Sequence, residues 1–495
     1  MQILNAEQIR AADQHTIKNE PIASIDLMER ASEAFVSKFV EHYTMDKAVA
    51  VFSGQGNNGG DGLAIARLLY ERGYTVGIWV VGTQGKGTPD FIANYDRLPI
   101  TAHHIEGQED LPDLAGFDIV IDGLFGSGLN RPLEGLPAMV VRFLNRSGCR
   151  IVAVDIASGL YLDQPVPEAS PVIEPERTIT FQVPKLAFFQ PQIASFVGDW
   201  DVVDIGLDRE FLSAQSSAFR LTEKSVMQQF LPERKKFMHK GDAGRVALWT
   251  GSQKKMGAAL LSAQSCLRSG AGLLWMLIPE QGQTALNIKI PEAMTTDHDQ
   301  LLDEAFGSTL DVLGVGPGIG TDEGTLDAFE RLLARWKKPM VLDADAITLL
   351  SYHPKLQKQL PKDSILTPHP GEFRRLVGDW SDDYDKLRRL QTYCRNFEVC
   401  VVLKGAFSAV CDSEGQIFFN PTGNAGMATA GTGDVLFGMI CGLLAQGLAS
   451  IAALRLGVYL HGMSGDLAKD QFTEYSLLAT DIIRYLPNSF VGLSK

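Results

Sequence analysis

The chain has 495 residues, of which 45% are hydrophobic and 21% are charged, and its formal net charge at pH 7 is −14. A single hydrophobic core rarely serves a chain of this length, so two or more domains are expected. The acidic balance argues against a nucleic acid or an anionic membrane as the main partner.

The cysteines and the N-terminus bear on the cellular compartment in which the protein is expected. The six cysteines are scattered, without a C-x-x-C pair, which favours reduced thiols over a disulfide framework or a zinc site. The N-terminus lacks the basic stretch and apolar run of a signal peptide. No apolar run is long enough to span a bilayer. We therefore expect a cytoplasmic protein that binds neither nucleic acid nor membrane.

The first half of the chain alternates apolar strands with glycine-containing loops and helices. The first forty-odd residues keep a helical period. Strands are predicted at Ala48–Phe52, Thr75–Val81, Phe117–Asp122 and Ile151–Asp155. A loop over Ser53–Asp61 separates the first strand from a helix at Leu63–Leu69. This repetition is typical of a parallel α/β sheet, where ligands lie at the carboxyl ends of the strands.

The second half restarts the same alternation after residues 207–223, which carry no strong apolar period. Strands are predicted at Arg245–Thr250, Leu273–Ile278, Pro339–Asp343 and Val399–Gly405, with others beginning at Asp311 and Ser364. Helices are predicted at Gly257–Leu267, Gly431–Leu444 and Ile451–Leu467. Two α/β domains result, 1–213 and 223–492.

The loop after the first strand reads G-x-G-x-x-G from Gly54 to Gly59. The second strand does not end in the acidic residue of a dinucleotide-binding site, which weakens a dehydrogenase interpretation. Side-chain oxygens of Asn57, Asn58 and Asp61, together with those of Asp122 and Ser158, instead suggest an all-oxygen site for a hard, weakly held cation. The alternative is that the asparagines only supply left-handed turn residues. Asp155, at a strand end, suits a general acid/base or a helix cap.

The stretch from Gly423 to Asp434 carries small residues into the start of an apolar helix. Such a turn lets backbone N–H groups and the helix N-terminus hold an anion beside the carboxylate. That arrangement suits phosphoryl transfer to an alcohol, with Asp434 as the base. The alternative is a helix start at which Asp434 is only the N-cap.

Two further strand ends carry polar groups. His369 stands between two prolines, which favours a positioned contact, although a histidine satisfied within its own turn fits equally. Lys404 ends a strand and suits a nucleotide phosphate. The chain has no Walker A, H-E-x-x-H or G-x-S-x-G motif.

Several ordered motifs resemble one family over nearly the whole chain, the bifunctional NAD(P)H-hydrate repair enzymes. They are Gly56–Gly62, Asp122–Leu133 and Val154–Gly159 in the first half, and Leu366–Glu372, Lys404-Gly405 and Gly431–Val435 in the second. The resemblance implies a Rossmann-like epimerase domain followed by a ribokinase-like, ADP-dependent dehydratase domain. It also implies the substrates NADHX and NADPHX, which carry a hydroxyl on C6.

The family's roles carry over by motif. Asp155 and Asp434 are the implied catalytic residues. Epimerase substrate contacts fall on Asn57, Asn58, Gly59, Gly60, Asp61, Gly126, Ser127, Gly128, Leu129, Asn130, Arg131, Pro132 and Asp155, and potassium ligands on Asn58, Asp122 and Ser158. Dehydratase substrate contacts fall on Ala258, Gly318, His369 and Asp434, and nucleotide contacts on Lys404, Gly405, Ala406, Phe407, Ser408 and Gly433. Magnesium is the implied dehydratase cofactor, with ADP as co-substrate.

Other interpretations remain at this stage. One is a small-molecule kinase of the vitamin or sugar type with a non-catalytic N-terminal domain. Another is a regulatory or scaffold protein whose asparagine-rich loop senses a nucleotide. The apolar N-terminal helices also lead us to expect a homo-oligomer.

Overall fold

The structure is a computed structural model and describes residues 1–495. The residues divide by their contacts into two compact units. Unit 1 is Met1–Ser217 with Asp382–Tyr384, and unit 2 is Ala218–Ser381 with Asp385–Lys495. None of the helices combines the length and the apolar character that crossing a membrane requires.

Unit 1 is built on a seven-stranded sheet in which every neighbouring pair is parallel, in the order β3-β2-β1-β4-β5-β6-β7. The strands are β1 (Ala48–Ser53), β2 (Thr75–Val81), β3 (Ala102–Ile105), β4 (Ile119–Gly123), β5 (Arg150–Val154), β6 (Arg177–Phe181) and β7 (Asp199–Val203). The helices are α1 (Ala6–Asn19), α2 (Ser24–His42), α3 (Asn57–Glu71), α4 (Pro89–Asp96), α5 (Gly135–Asn145) and α6 (Arg209–Ala214). Short 3-10 helices lie at Gln108–Asp110, Leu186–Phe189 and Pro191–Phe196.

The core of unit 1 follows from two apolar patterns. The central strand β1 is buried from Val49 to Ser53, as expected where helices cover both faces of a parallel sheet. Helix α2 buries Leu27, Ala31 and Phe35, which are four residues apart and form one stripe against the sheet. The predicted strands are confirmed within two residues at each end. The N-terminal helical segment is two helices, because Pro21 lies between them and cannot donate to a helical ladder.

The loop predicted over Ser53–Asp61 is wrong in its second half, because α3 begins at Asn57. A methyl group added to Gly59 would lie 1.9 Å from the carbonyl oxygen of Gly54, so only glycine lets the helix start so close to the strand. Neither Asn57 nor Asn58 has a positive φ, so the alternative of left-handed asparagines is also wrong.

Unit 2 contains a ten-stranded sheet in the order β11-β10-β9-β12-β13-β14-β15-β16-β17-β8. The strands are β8 (Phe219–Leu221), β9 (Arg245–Trp249), β10 (Leu273–Leu277), β11 (Met294–Thr296), β12 (Val312–Val315), β13 (Met340–Leu342), β14 (Ile365–Leu366), β15 (Cys400–Leu403), β16 (Ala409–Cys411) and β17 (Ile417–Phe419). Only the pairs that β16 makes with β15 and β17 are antiparallel.

The helices from Ala218 onward cover both faces of this sheet. They are α7 (Lys224–Gln229), α8 (Met256–Arg268), α9 (Gln283–Lys289), α10 (His298–Leu302), α11 (Glu304–Thr309), α12 (Glu323–Arg335), α13 (Asp345–Tyr352), α14 (Pro354–Gln357), α15 (Pro370–Val377), α16 (Asp383–Phe397), α17 (Thr432–Leu444), α18 (Ser450–Ser476) and α19 (Ala479–Ser494). Glu280–Gly282 and Ala425–Met427 form 3-10 helices. Helix α17 is buried throughout residues 435–444, as its uniformly apolar sequence predicts.

Candidate active sites

A cavity of about 680 Å³ lies in unit 1 beyond the carboxyl ends of β1, β4, β5 and β6. After β1 the chain forms β2 and β3 on one side of that strand, and it then crosses to form β4 on the other side. Ligands bind parallel sheets at the point where the strand order switches in this way. Predicted contact residues that line this cavity are Asn57, Asn58, Asp61, Gly126, Ser127, Gly128, Leu129 and Asp155.

The other predicted epimerase residues lie elsewhere. Gly60 packs on the Met28 side chain, and Gly59 packs on the Gly54 backbone. Asn130, Arg131 and Pro132 are exposed and do not line the cavity. Eight of the thirteen predicted epimerase contacts therefore line one cavity, and these five residues lie outside it.

Asp155 follows β5 with a φ of 66°, a left-handed backbone that aspartate tolerates better than most residues. Its Oδ1 accepts hydrogen bonds from the Thr180 hydroxyl and the Phe181 N–H, both at 3.0 Å. The buried Lys185 ammonium lies 2.9 Å from the same oxygen. No helix begins at Asp155, so the helix-cap alternative is wrong.

Asp13 is a cavity residue that sequence reasoning missed. It lies on α1, and its carboxyl faces the cavity without a hydrogen-bond or ion-pair partner in the protein. Burial raises the pKa of Asp13 to about 6, the Asp155 charge adds to this effect, and Lys185 opposes it. The sequence pattern that could have identified it is the spacing of Ile9, Asp13 and Ile17, which places one carboxylate on the apolar face of a helix.

Asp61 adds a third carboxyl to the same cavity. Burial raises the pKa of Asp61 well above its usual range, and the charges of Asp155 and Asp13 raise it further. Unit 1 thus gathers three carboxyl groups around one buried lysine, and the exposed Arg10 also lines the cavity. Such a group holds protons at a pH where isolated aspartates are ionised.

Two of the predicted cation ligands, Asp122 and Ser158, are hydrogen-bonded to each other, and the third, Asn58, lines the cavity. The Ser158 hydroxyl donates to Asp122 Oδ1 at 2.6 Å, and the Ser158 N–H donates to Oδ2 at 2.8 Å. Burial raises the pKa of Asp122 to about 6, although the hydrogen bonds from Ser158 lower it. The buried Asn58 Nδ2 has no partner, and an amide turned by 180° presents its oxygen instead. One uncompensated carboxylate with neutral oxygens fits a weakly held cation.

In unit 2, helices α8 and α17 lie side by side and in parallel. A methyl group added to Gly438 would lie 2.2 Å from the Ser262 carbonyl oxygen, and one added to Gly442 would lie 2.3 Å from that of Cys266. The second contact lies four residues further along both helices, so the two helices run in the same direction. Both N-termini therefore lie at the same end, where their unpaired N–H groups favour an anion.

Asp434 is the third residue of α17, and the N-cap is Gly431 with a φ of 92°. The alternative of Asp434 as the N-cap is therefore wrong. Burial raises the pKa of Asp434 to about 6, and the Asp343 charge raises it further, while Lys404 opposes both. A carboxyl with such a pKa is suited to accept a proton near neutral pH.

Asp343 and Asp345 follow β13 and were not predicted as site residues. The Lys404 ammonium lies 3.0 Å from Asp343 Oδ1, and the Lys255 ammonium lies 3.1 Å from Asp345 Oδ2. Between the two aspartates Ala344 has a φ of 49°, a strained conformation for alanine. The available signal was a pair of carboxylates two residues apart at a strand end.

The predicted nucleotide residues adjoin this cluster. A methyl group added to Gly433 would lie 3.4 Å from Lys404 Nζ. The segment 404–408 turns between β15 and β16, and the Ser408 hydroxyl closes the turn on Gly405. Gly318 faces the Lys255 side chain, and Ala258 is in the first turn of α8. These residues therefore surround the two helix N-termini.

His369 is the N-cap of α15. Its Nδ1 accepts hydrogen bonds from the backbone N–H groups of Gly371 and Glu372, at 3.0 and 3.4 Å. The interpretation of a histidine satisfied within its own turn is thus confirmed for Nδ1. The side chain is 55% exposed, and its Nε2 lies 3.5 Å from Glu372 Oε1.

His461 is a second histidine near the anion site, and sequence reasoning missed it. Its Nε2 lies 3.0 Å from the carbonyl oxygen of Thr432, the first residue of α17. Burial lowers the pKa of His461 to about 4, and the Lys404 charge lowers it further. The ring is therefore a neutral donor at neutral pH and fixes the start of the helix.

A second cavity, of about 640 Å³, lies beside the loop that follows β12. Trp249, Gly251, His298 and Ile319 are among its lining residues, whereas Asp434 and Lys404 are not. It adjoins the side of the site where Gly318 lies.

Comparison with known proteins covers both units. The family model described as NAD(P)H-hydrate dehydratase matches residues 246–488, and the model described as YjeF-related protein N-terminus matches residues 24–187. The bifunctional NAD(P)H-hydrate repair enzyme Nnr of Moorella thermoacetica is 35% identical over 98% of this chain and 96% of its own. That of Thermofilum pendens is 31% identical over 100% and 97%.

Unit 2 is also similar to a solved structure. A ribokinase-like superfamily protein from Enterococcus faecalis is 29% identical, with a TM-score of 0.51, and covers 57% of this chain and 98% of its own. The predicted Rossmann-like and ribokinase-like α/β folds are confirmed, and neither the simple kinase nor the scaffold alternative is favoured. The predicted relationship is confirmed as well, and the chain belongs to the family of bifunctional NAD(P)H-hydrate repair enzymes.

Proposed function

We propose that the chain restores hydrated NADH and NADPH at two sites. Unit 1 interconverts the R and S epimers at C6, and unit 2 dehydrates the S epimer with ADP, releasing AMP and phosphate. The observation that carries this proposal is the presence of two differently equipped carboxylate sites in a chain that belongs to the family over its whole length.

In unit 1 the C6 hydroxyl stands next to the ring nitrogen. The nitrogen lone pair forms a C=N bond as the C–O bond breaks, and water then adds to the other face of the ring. An acid and a base must serve these two steps. Asp155 is held by three donors on one oxygen, and we assign it as an acid/base group.

In unit 2 we assign Asp434 as the base that takes the proton of the C6 hydroxyl. That oxygen attacks the terminal phosphorus of ADP, and the bond to AMP breaks. The N-terminus of α17 and the Lys404 ammonium face the transferring group and favour its charge. Phosphate then leaves C6, and loss of a C5 proton restores the double bond.

Two cations complete the proposal. Magnesium would be held by Asp343 and Asp345 together with phosphate oxygens, because Mg²⁺ is usually bound by one or two carboxylates and its substrate. When bound it would neutralise phosphate charge. Potassium would be held by Asn58, Asp122 and Ser158, where the buried carboxylate otherwise has no counter-charge. No cluster of three or more His, Cys, Asp or Glu suited to a metal occurs in the structure.

We also propose a homo-oligomer. Val40, Tyr70 and Ile92 are exposed apolar side chains on helices of unit 1 or at their edges. Light scattering of the full chain in solution measures the mass that checks this point.

The test uses the full chain with purified epimers and follows the absorbance of restored NADH. Asp434→Asn should lower ADP-dependent recovery from the S epimer by roughly 10²–10⁴-fold, with R-to-S conversion unchanged. Asp155→Asn should abolish R consumption and leave S dehydration intact. Full recovery by Asp434→Asn would refute the assignment of the base, and R conversion by Asp155→Asn would refute that of the epimerase site.

A further inference from the structure

The epimerase chemistry needs an acid besides a base, and the cavity of unit 1 offers an unassigned candidate. Asp13 belongs to α1, which precedes the residues 24–187 matched by the family model. Its carboxyl lines the same cavity as Asp155, Lys185 and Asp61. It has no hydrogen-bond donor or cation in contact, so nothing in the protein occupies its oxygens.

Asp13 and Asp155 lie in opposite local environments. Three donors, one of them an ammonium at 2.9 Å, converge on Asp155 Oδ1. Asp13 accepts no hydrogen bond, and among neighbouring charges that of Asp155 has the largest effect on its pKa, which it raises. When two carboxyl groups share a site, the one without donors takes the proton. Asp13 is therefore the carboxyl of the pair better suited to hold a proton.

We propose, on the basis of the function assigned above, that Asp13 is a catalytic residue of the epimerase site that donates the proton to the departing C6 hydroxyl. The Asp13 proton goes to the hydroxyl oxygen, the C6–O electron pair leaves with it as water, and the ring nitrogen forms the C=N bond. Water then attacks C6 from the other face, and Asp155 takes its proton. The reverse conversion exchanges the two roles.

The experiment omits ADP, so that the dehydratase is silent and only epimerisation is observed. The full chain receives the R epimer, chromatography follows the R/S ratio, and the spontaneous rate is subtracted. Asp13→Asn should lower kcat/KM for epimerisation by about a hundredfold or more, the range of a general acid. We expect the wild-type rate to fall as the pH rises above about 6, and Asp13→Asn should remove this fall.

Three controls separate this role from a structural one. Glu7→Gln makes the same carboxylate-to-amide change at an exposed position of α1 and should match the wild type. Asp13→Glu retains the acid and should recover part of the rate together with the pH dependence. ADP-dependent dehydration of the S epimer should be unchanged in every variant.

The outcomes are distinct. If Asp13→Asn stays within threefold of the wild type with the same pH profile, the inference is wrong. It is equally wrong if Asp61→Asn, and not Asp13→Asn, removes the pH dependence. If the wild-type chain itself does not convert R faster than buffer alone, the proposed function fails, whatever the variants do.

Discussion

The two units place similar residues at their sites in different proportions. The unit 1 cluster contains Asp13, Asp61, Asp155 and one lysine, Lys185, whereas the unit 2 cluster contains Asp343, Asp345, Asp434 and two lysines, Lys255 and Lys404. Unit 2 adds two parallel helix N-termini. Three carboxyl groups around one lysine favour retained protons, while a second lysine and two helix N-termini favour an anion. The two helix N-termini of unit 2 are the feature that distinguishes the phosphoryl-transfer site from the proton-transfer site.

The clusters share a strained strand end. Asp155 after β5 has a φ of 66°, and Ala344 after β13 has a φ of 49°. A left-handed residue at this point turns the chain abruptly, so the neighbouring carboxylates face the ligand instead of continuing the sheet. Local backbone geometry is thus common to the two sites, and the surrounding charges differ.

Removing Lys185, the single lysine of the unit 1 cluster, should have the largest effect. Lys185→Met leaves the buried Asp155 carboxylate without its cation, which typically costs about 3–5 kcal/mol. Denaturant unfolding of the first unit measures this loss. Lys18→Met, at an exposed site on α1, should stay within about 0.5 kcal/mol. Adding Asp155→Asn to Lys185→Met should recover most of the loss. Equal midpoints for the two lysine variants would contradict this view of the cluster.

The unit 2 cluster should lose stability with rising pH through Asp434. Its folded pKa, about 6, exceeds the ordinary 3.8, so the folded state binds the proton more tightly. The contribution is fully present below pH 3.8 and is lost as the pH rises through 6. At pH 8 Asp434→Asn should be more stable than the wild type by about 3 kcal/mol, although inactive.

Thermal unfolding at pH 4 and pH 8 checks this sign. The exposed Asp470→Asn should show no such difference between the two pH values. A destabilised Asp434→Asn at pH 8 would mean that attraction to Lys404 outweighs the burial of the carboxylate.

The smallest expected effect concerns the cation site. Ser158→Ala removes the hydroxyl that donates to Asp122 at 2.6 Å. The K⁺ concentration that half-activates epimerisation should rise about tenfold, the usual cost of a lost group at a metal site. K⁺ titration in a choline background without ADP measures it, with the exposed Ser37→Ala as the control. An unchanged K⁺ dependence would contradict the assigned ligands.

Sequence reasoning located the parts of each site that depend on local pattern. Asp122, Asp155 and Lys404 stand at the carboxyl ends of apolar strands, and parallel strands bring such ends together. Asp13 could not be placed in this way, because α1 reaches the cavity only through tertiary packing. The same holds for His461, whose partner Thr432 lies 29 residues earlier in the chain. Residues at strand ends can be identified from the sequence, whereas the residues that a helix turns toward a site are known only from the folded structure.

The left-handed backbone of Asp155 also has an evolutionary consequence. Glycine and asparagine tolerate this conformation best, and each is one nucleotide change away from an aspartate codon. Asparagine would even keep an oxygen for Lys185 and Thr180. A lineage could therefore lose the carboxylate without straining the backbone at this position, and overall sequence identity would scarcely register the change. The residue at position 155 is thus the one to inspect when relatives are sorted into those with and without the epimerase.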